Sequence, residues 1–235
     1  MPTHDATTVD PSSATRTSAS FSHTCTGSDL SLTVITAAFG TLEPTVASAT
    51  YNSVALTQRV TVTNNWSAGR YAVSTLWTLD GPATGSNTVA VTYDNGPVAD
   101  AVIATSYTDA NNGIGTNTAS TTGNGSNPSM TFTTDASDGL IVAGGGVSGG
   151  DTDPFTPGTG TTERSDGDTG TSTFFDIGYT SGDESATGGS DTIDFTASVA
   201  DEYAFVAIEL NAAAGGAAAS LPPRRRRLRI WKGLR

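Results

Sequence analysis

One cysteine, one lysine and two histidines are all that 235 residues hold of those three types. Each scarcity excludes something. Cys25 alone can form neither an intrachain disulfide nor a cysteine-based zinc site. No apolar run approaches the roughly 18 residues of a membrane-spanning helix, so no membrane span is expected. The opening MPTHDATTVDPSS has neither the basic nor the apolar region of a secretion signal, and the expectation is a product without a signal peptide, made in the cytoplasm. Amphipathic helical periodicity is missing as well.

Positive charge is scarce until the very end. Residues 1–223 hold only Arg16, Arg59, Arg70 and Arg164 against all twenty-three acidic residues, a balance of −19, whereas the last twelve positions add +7. A body of that sign repels nucleic acid and anionic membranes, so nucleic-acid binding by the folded part is not expected.

What is abundant is Gly, Ser, Thr, Asn and Asp. Thr and Val suit pleated strands, while Gly, Asn and Asp suit turns. Short runs read as strands near Ala19–Thr24, Leu30–Ala38, Val46–Tyr51, Ala55–Val62, Tyr71–Leu79, Asn87–Tyr93 and Ala99–Thr108. Others follow near Ser129–Thr133, Gly139–Val147, Thr161–Arg164, Thr171–Thr180, Asp191–Thr196 and Tyr203–Leu210. In TFFDIGYT, Phe174, Asp176, Gly178 and Thr180 alternate with Phe175, Ile177 and Tyr179, which predicts antiparallel strands with one wet face. The connecting LDGPATGSN and YDNGPVAD are turn-rich. The fold class is therefore all-β, an antiparallel jelly-roll-like sandwich of about 10–13 strands. A body of about 190 residues buries a core without staples. Its domain plan is a flexible or docked arm over 1–17, one sandwich over 18–211, an Ala/Gly/Pro linker over 212–223 and a basic docking tail over 224–235. The loop Ser148–Gly160 is expected at one end of the sandwich.

Several segments in succession carry a resemblance: SFSHTCTGSDLSLTVITA, SATYNSVALTQ, STLWTLDGPATGSNTVAVTY, AVIATSYTDANN, GIGTNTASTTGNGSNPSMTFTT, DGLIVAGG, TPGTGTTERSD and EYAFVAIELN. Together they resemble a jelly-roll-like β-sandwich domain of bacterial surface proteins and of tailed-phage virion proteins, over roughly residues 18–211. The resemblance implies a fold and a context, with no catalytic residues to carry over. Bacterial surface relatives have a signal peptide or lie within longer exported chains. This sequence shows neither and adds the basic tail, which shifts the expectation towards a virion component assembled in the host cytoplasm.

Two catalytic patterns fall away on inspection. GVSGG (146–150) fits the G-x-S-x-G nucleophile elbow, but that chemistry takes a histidine later in the chain, and His4 and His23 both precede it. Gly144 to Gly149 reads G-x-G-x-x-G, yet SGGDTDPFTPG cannot be the helix a dinucleotide site requires. No enzyme is expected. Asp151, Asp153, Asp166 and Asp168, with Asp183 and Glu184 nearby in sequence, are calcium candidates, since that ion takes six to eight oxygens; aspartates also form turns without any metal. No other cofactor is implied. Trp66 with Asn64, Asn65 and Arg70 makes a candidate glycan contact, an indole to stack on a sugar with hydrogen-bonding neighbours; packing or interface roles suit the same tryptophan. Trp77 reads as core, and His23 and Cys25 share one face of the first strand, where burial is the default for the cysteine.

The tail LPPRRRRLRIWKGLR allows four uses: a nucleic-acid clamp, a membrane-surface peptide, a localisation signal or a docking peptide. Docking accounts best for separate charges on body and tail. Arg224, Arg225, Arg226, Arg227, Arg229, Lys232 and Arg235 would pair with an acidic groove, and Leu228, Ile230 and Trp231 would fill apolar pockets. The partners expected are capsid or tail subunits of a virion, or a neighbouring copy in a homo-oligomer, with a host glycan as a further contact.

Overall fold

Strands rich in Val, Ile, Thr and Ala recur throughout the computed structural model, which describes residues 1–67, 69–110, 114–148, 155–170 and 176–213. No helix occurs among them. The chain is an antiparallel β-sandwich protein, as its composition demands.

Residues 3–108 form β1 (Thr3–Ser12), β2 (Ser18–Cys25), β3 (Ser31–Gly40), β4 (Thr45–Tyr51), β5 (Val54–Ala55), β6 (Thr57–Ser67), β7 (Arg70–Asp80), β8 (Gly85–Asn95) and β9 (Ala99–Thr108). Residues 114–210 form β10 (Ile114–Gly125), β11 (Ser129–Thr133), β12 (Leu140–Ser148), β13 (Thr156–Pro157), β14 (Thr162–Asp168), β15 (Ile177–Ser185), β16 (Ser190–Thr196) and β17 (Asp201–Leu210). The first unit pairs its strands as β1-β9-β3-β7-β6 and β2-β8-β4-β5; the second pairs them as β10-β17-β12-β15-β14 and β11-β16-β13. Apart from the two-residue β5, the second order is the first repeated. The single sandwich expected over 18–211 is thus built twice.

The two five-stranded sheets pack face to face, with β1 over β14, β10 over β6, β9 over β15, β17 over β7, and β3 over β12. Those pairings are the signature of an approximate twofold axis running along the strands between β3 and β12. The result is four layers with three cores. Ile35, Phe39, Leu76, Ile103, Val206 and Ile208 fill the central one. Leu32, Val34, Tyr51, Trp77 and Val89 lie beneath the first outer sheet, and Ile141, Ile193, Phe195 and Phe205 beneath the second.

The layering corrects one sequence expectation. Central strands have no wet face: β3 and β12 are buried along their whole length, and so are Ile177–Asp183 of β15. Phe174 and Phe175, placed in that strand by the alternation, lie outside the described residues. The outer sheets do alternate, as β16 does with Asp191, Ile193 and Phe195 inward.

The arm is docked. Residues 3–12 form the edge strand β1 against β9, and Arg16 clamps it. The Arg16 guanidinium donates Nη1 to Asp10 Oδ2 (2.7 Å), Nε to Asp100 Oδ1 (2.8 Å) and Nη2 to Asp100 Oδ2 (2.8 Å). Within the loop expected over Ser148–Gly160, Ser148 ends β12, Phe155 is buried, and Thr156–Pro157 pairs with β16.

Candidate functional site

β6 and β7 bring Asn64, Asn65, Trp66 and Arg70 to one end of the molecule, where the halves meet. Asn64 and Trp66 share the face of β6 that looks towards the second sheet. The Asn64 amide donates Nδ2 to the carbonyls of Gly123 (2.8 Å) and Tyr203 (3.2 Å), a bond from one unit to the other. Trp66 is half-buried, with its ring centroid 5.9 Å from that of Phe39. Asn65 points the other way and is exposed. The four residues proposed for a sugar therefore divide: Asn64 and Trp66 take part in the joint between the halves, Arg70 is half-buried like them, and Asn65 is exposed.

Arg70 acts on Asp201, which the sequence did not single out. Burial, reinforced by the adjacent Glu202 and opposed by Arg70, pushes the Asp201 carboxyl up to about 7. A carboxyl at that value exchanges a proton near neutrality. Ser74, also facing the second sheet, donates its hydroxyl to Ala204 O (2.7 Å), a further bond across the joint.

Of the four calcium candidates, Asp166 and Asp168 fall among the described residues. Asp166 Oδ1 accepts the Phe155 amide (3.2 Å), tying β14 to the segment before β13, and Asp168 Oδ1 accepts the Gly170 amide in a local turn. Asp183 is held by Arg164 instead (2.6 Å). Asp151 and Asp153 lie outside the described residues. Among the described residues no group of three or more His, Cys, Asp or Glu side chains is placed to hold a metal.

Ser148 of the GVSGG stretch is fully buried in β12, with its hydroxyl donating to Glu202 O (3.3 Å). Of the two glycine-rich patterns, Gly144–Ser148 run along a central strand, and the residues that follow, 149–154, lie outside the described residues. The absent side chains of the strand's glycines have a packing reason, since a Cβ on Gly144 would lie 2.7 Å from Thr180 O and 3.1 Å from Ile35 Cδ1.

The second buried polar group centres on His23, 1% exposed, whose Nδ1 meets Thr8 Oγ1 at 3.0 Å. Burial holds its imidazole below the ordinary value, opposed by Asp5 and aided by His4. Asp5 of β1 accepts from Ser106 (2.7 Å) and from the Thr26 amide (2.8 Å). Cys25 is fully buried, and burial pushes its thiol up, away from thiolate reactivity. This group pins β1 to the body and presents no open nucleophile.

The tail residues Arg224, Arg225, Arg226, Arg227, Leu228, Arg229, Ile230, Trp231, Lys232 and Arg235 lie outside the described residues. The chain leaves the described body at Ala213, whose amide donates to Asp109 O (2.7 Å). Exposed Asp29, Asp80 and Asp109 stand around that exit. No helix of the described residues is long and apolar enough to cross a membrane.

The class defined by the fold is a four-layer antiparallel β-sandwich with internal duplication. Compared with protein-family models, curated proteins and solved structures, the chain matches none.

Proposed function

We propose that this chain is a non-enzymatic structural component of a virion, a sandwich displayed on a phage capsid or tail surface and fastened by residues 224–235. The observation carrying the reading is the partition of charge. In the body, Arg16 and Arg164 are ion-paired with aspartates and Arg70 acts on Asp201. The concentrated positive charge lies in the sequence of the terminal segment, with Leu228, Ile230 and Trp231 among its arginines. An acidic body keeps its distance from like-charged neighbours, while such a segment is steered to an acidic, partly apolar groove on another subunit. A neighbouring copy offers the same kind of surface and would give a homo-oligomer.

The test is co-sedimentation with purified particles, comparing the full chain with one ending at Ser220. Pelleting of the full chain alone supports the tail as anchor. Equal pelleting of both moves the contact to the sandwich and sinks the docking role of 224–235. If neither pellets while the body binds host glycans, the protein is an adhesion module, and Asn65 with the outer edge of Trp66 becomes the surface to map.

A further inference from the structure

At one position the two halves serve as controls for each other. Thr57-Gln58-Arg59 in β6 and Thr162-Glu163-Arg164 in β14 occupy equivalent edge positions, and in both the strand register breaks at the arginine. Thr162 pairs with Asp183 in β15, and Thr57 pairs with Thr78 in β7. In the second unit, Arg164 grips Asp183 bidentately, Nε to Oδ2 at 2.6 Å and Nη2 to Oδ1 at 2.8 Å. In the first unit, Thr78 stands where that carboxylate would be. Arg59 Nε donates to Thr78 Oγ1 (2.7 Å), and no carboxylate of the described residues lies within 4 Å of its guanidinium.

A guanidinium is a rigid fork of donors that matches a carboxylate in shape as well as charge. Arg59 holds such a fork half-buried on an edge strand. We infer that Arg59 binds a carboxylate brought by another molecule, at the guanidinium nitrogens that remain once Nε is donated to Thr78. A free small carboxylate and an acidic side chain of a second copy present the same chemistry.

The test observes arginine Nε–H resonances of the full chain by NMR, with Arg59→Lys assigning the signal that disappears. Sodium acetate is titrated against sodium chloride at matched ionic strength. The expected result is a saturable shift of Arg59 with acetate alone, while Arg164, already paired, stays in place. A shift that appears with rising protein concentration, without acetate, identifies a second copy as the source. In Thr78→Asp the shifted position should be present before any addition, and acetate should move it no further. The inference is overturned if Arg59 moves as much with chloride, or if neither acetate nor protein concentration moves it. Should Thr78→Asp fail to fold, the titration of the unaltered chain decides alone.

Discussion

Removing the Arg16 clamp tests whether the N-terminal strand is held by a buried charge network. Arg16→Met keeps most of the stem and deletes every donor. It strands Asp100, which is fully buried and receives two of the guanidinium bonds; what remains is the Tyr93 hydroxyl at 2.6 Å. Taking one partner from a buried pair costs about 3–5 kcal/mol, and the surviving Tyr93 bond sets the expectation at about 3 kcal/mol. For a chain of this size each kcal/mol is about 2–4 °C, so calorimetry at pH 7 should show a midpoint lower by roughly 6–12 °C. The sign with pH follows from Asp100. Burial already pushes its carboxyl up, and Arg16 and Tyr93 oppose that; without Arg16 it rises further. A folded-state value above the unfolded one favours folding of the protonated form, so the deficit should shrink as pH falls from 7 towards 4. Arg16→Met/Asp100→Asn should lose less than the single variant. A loss under about 1 kcal/mol, or a deficit equal at both pH values, would refute the reasoning.

Three further outcomes are expected. His23 has a folded-state value below its unfolded one, so its contribution is intact above about 6.5 and is lost as pH falls below that; between pH 7 and 5 the urea midpoint of His23→Gln should fall less than that of the unaltered chain, with His4 acting in the same sense as His23 and Asp201 in the opposite sense in both proteins. Asp201 is raised to about 7 from 3.8, so its ionisation opposes folding increasingly as pH rises between those values; Asp201→Asn should gain on the unaltered chain in thermal midpoint at pH 8 and show no such gain at pH 4. Trp66→Ala should cost about 2 kcal/mol, roughly half the loss for a fully buried tryptophan, and chemical denaturation with a glycan array on the same sample separates this packing role from sugar binding.

Strands built from Val, Ile, Leu and Thr were legible one by one, and β9 falls on Ala99–Thr108 as the sequence predicts. Two long strands were invisible, and they are equivalents: β1 (THDATTVDPS) and β10 (IGTNTASTTGNG). Both are edge strands of the large sheets, made of residues that local rules assign to loops, and both extend because a neighbour supplies a ladder. The duplication left short traces. Thr57-Gln58-Arg59 matches Thr162-Glu163-Arg164, and ATGSNTV (83–89) matches ATGGSDTI (186–193) with one glycine inserted. In each copy of the second motif the Asx side chain caps its loop: Asn87 donates Nδ2 to the carbonyls of 83–85, and Asp191 accepts the Thr187 amide. A sandwich core requires only apolar or small residues between such points, so the rest need not match. At the joint, Asn64 finds its acceptors 59 and 139 residues away, a pairing no local pattern encodes. The tail, by contrast, is entirely a statement of the sequence.

Duplication within one chain permits what a symmetric dimer cannot. Near the twofold axis β3 and β12 cross, and their pairing registers make Ile35 the equivalent of Gly144: Ile35 lies opposite Leu76 and Ile103, Gly144 opposite Ser181 and Val206. Ile35 Cδ1 would sit 3.1 Å from a Cβ on Gly144, so the isoleucine of one half occupies space that its counterpart vacates. Two identical halves would place isoleucine against isoleucine there and force the sheets apart. Gly144→Ile should accordingly cost about 3 kcal/mol, the upper end of overpacking losses. Ile35→Gly alone should cost about as much by opening a void. The exchange Ile35→Gly/Gly144→Ile should fall short of the sum by about 1 kcal/mol or more, because each change relieves the other. Urea unfolding of the four chains measures that coupling. Additivity within about 0.5 kcal/mol would mean that the two residues do not share one space, and that the Thr180 carbonyl, 2.7 Å from a Cβ on Gly144, sets the cost of Gly144→Ile instead.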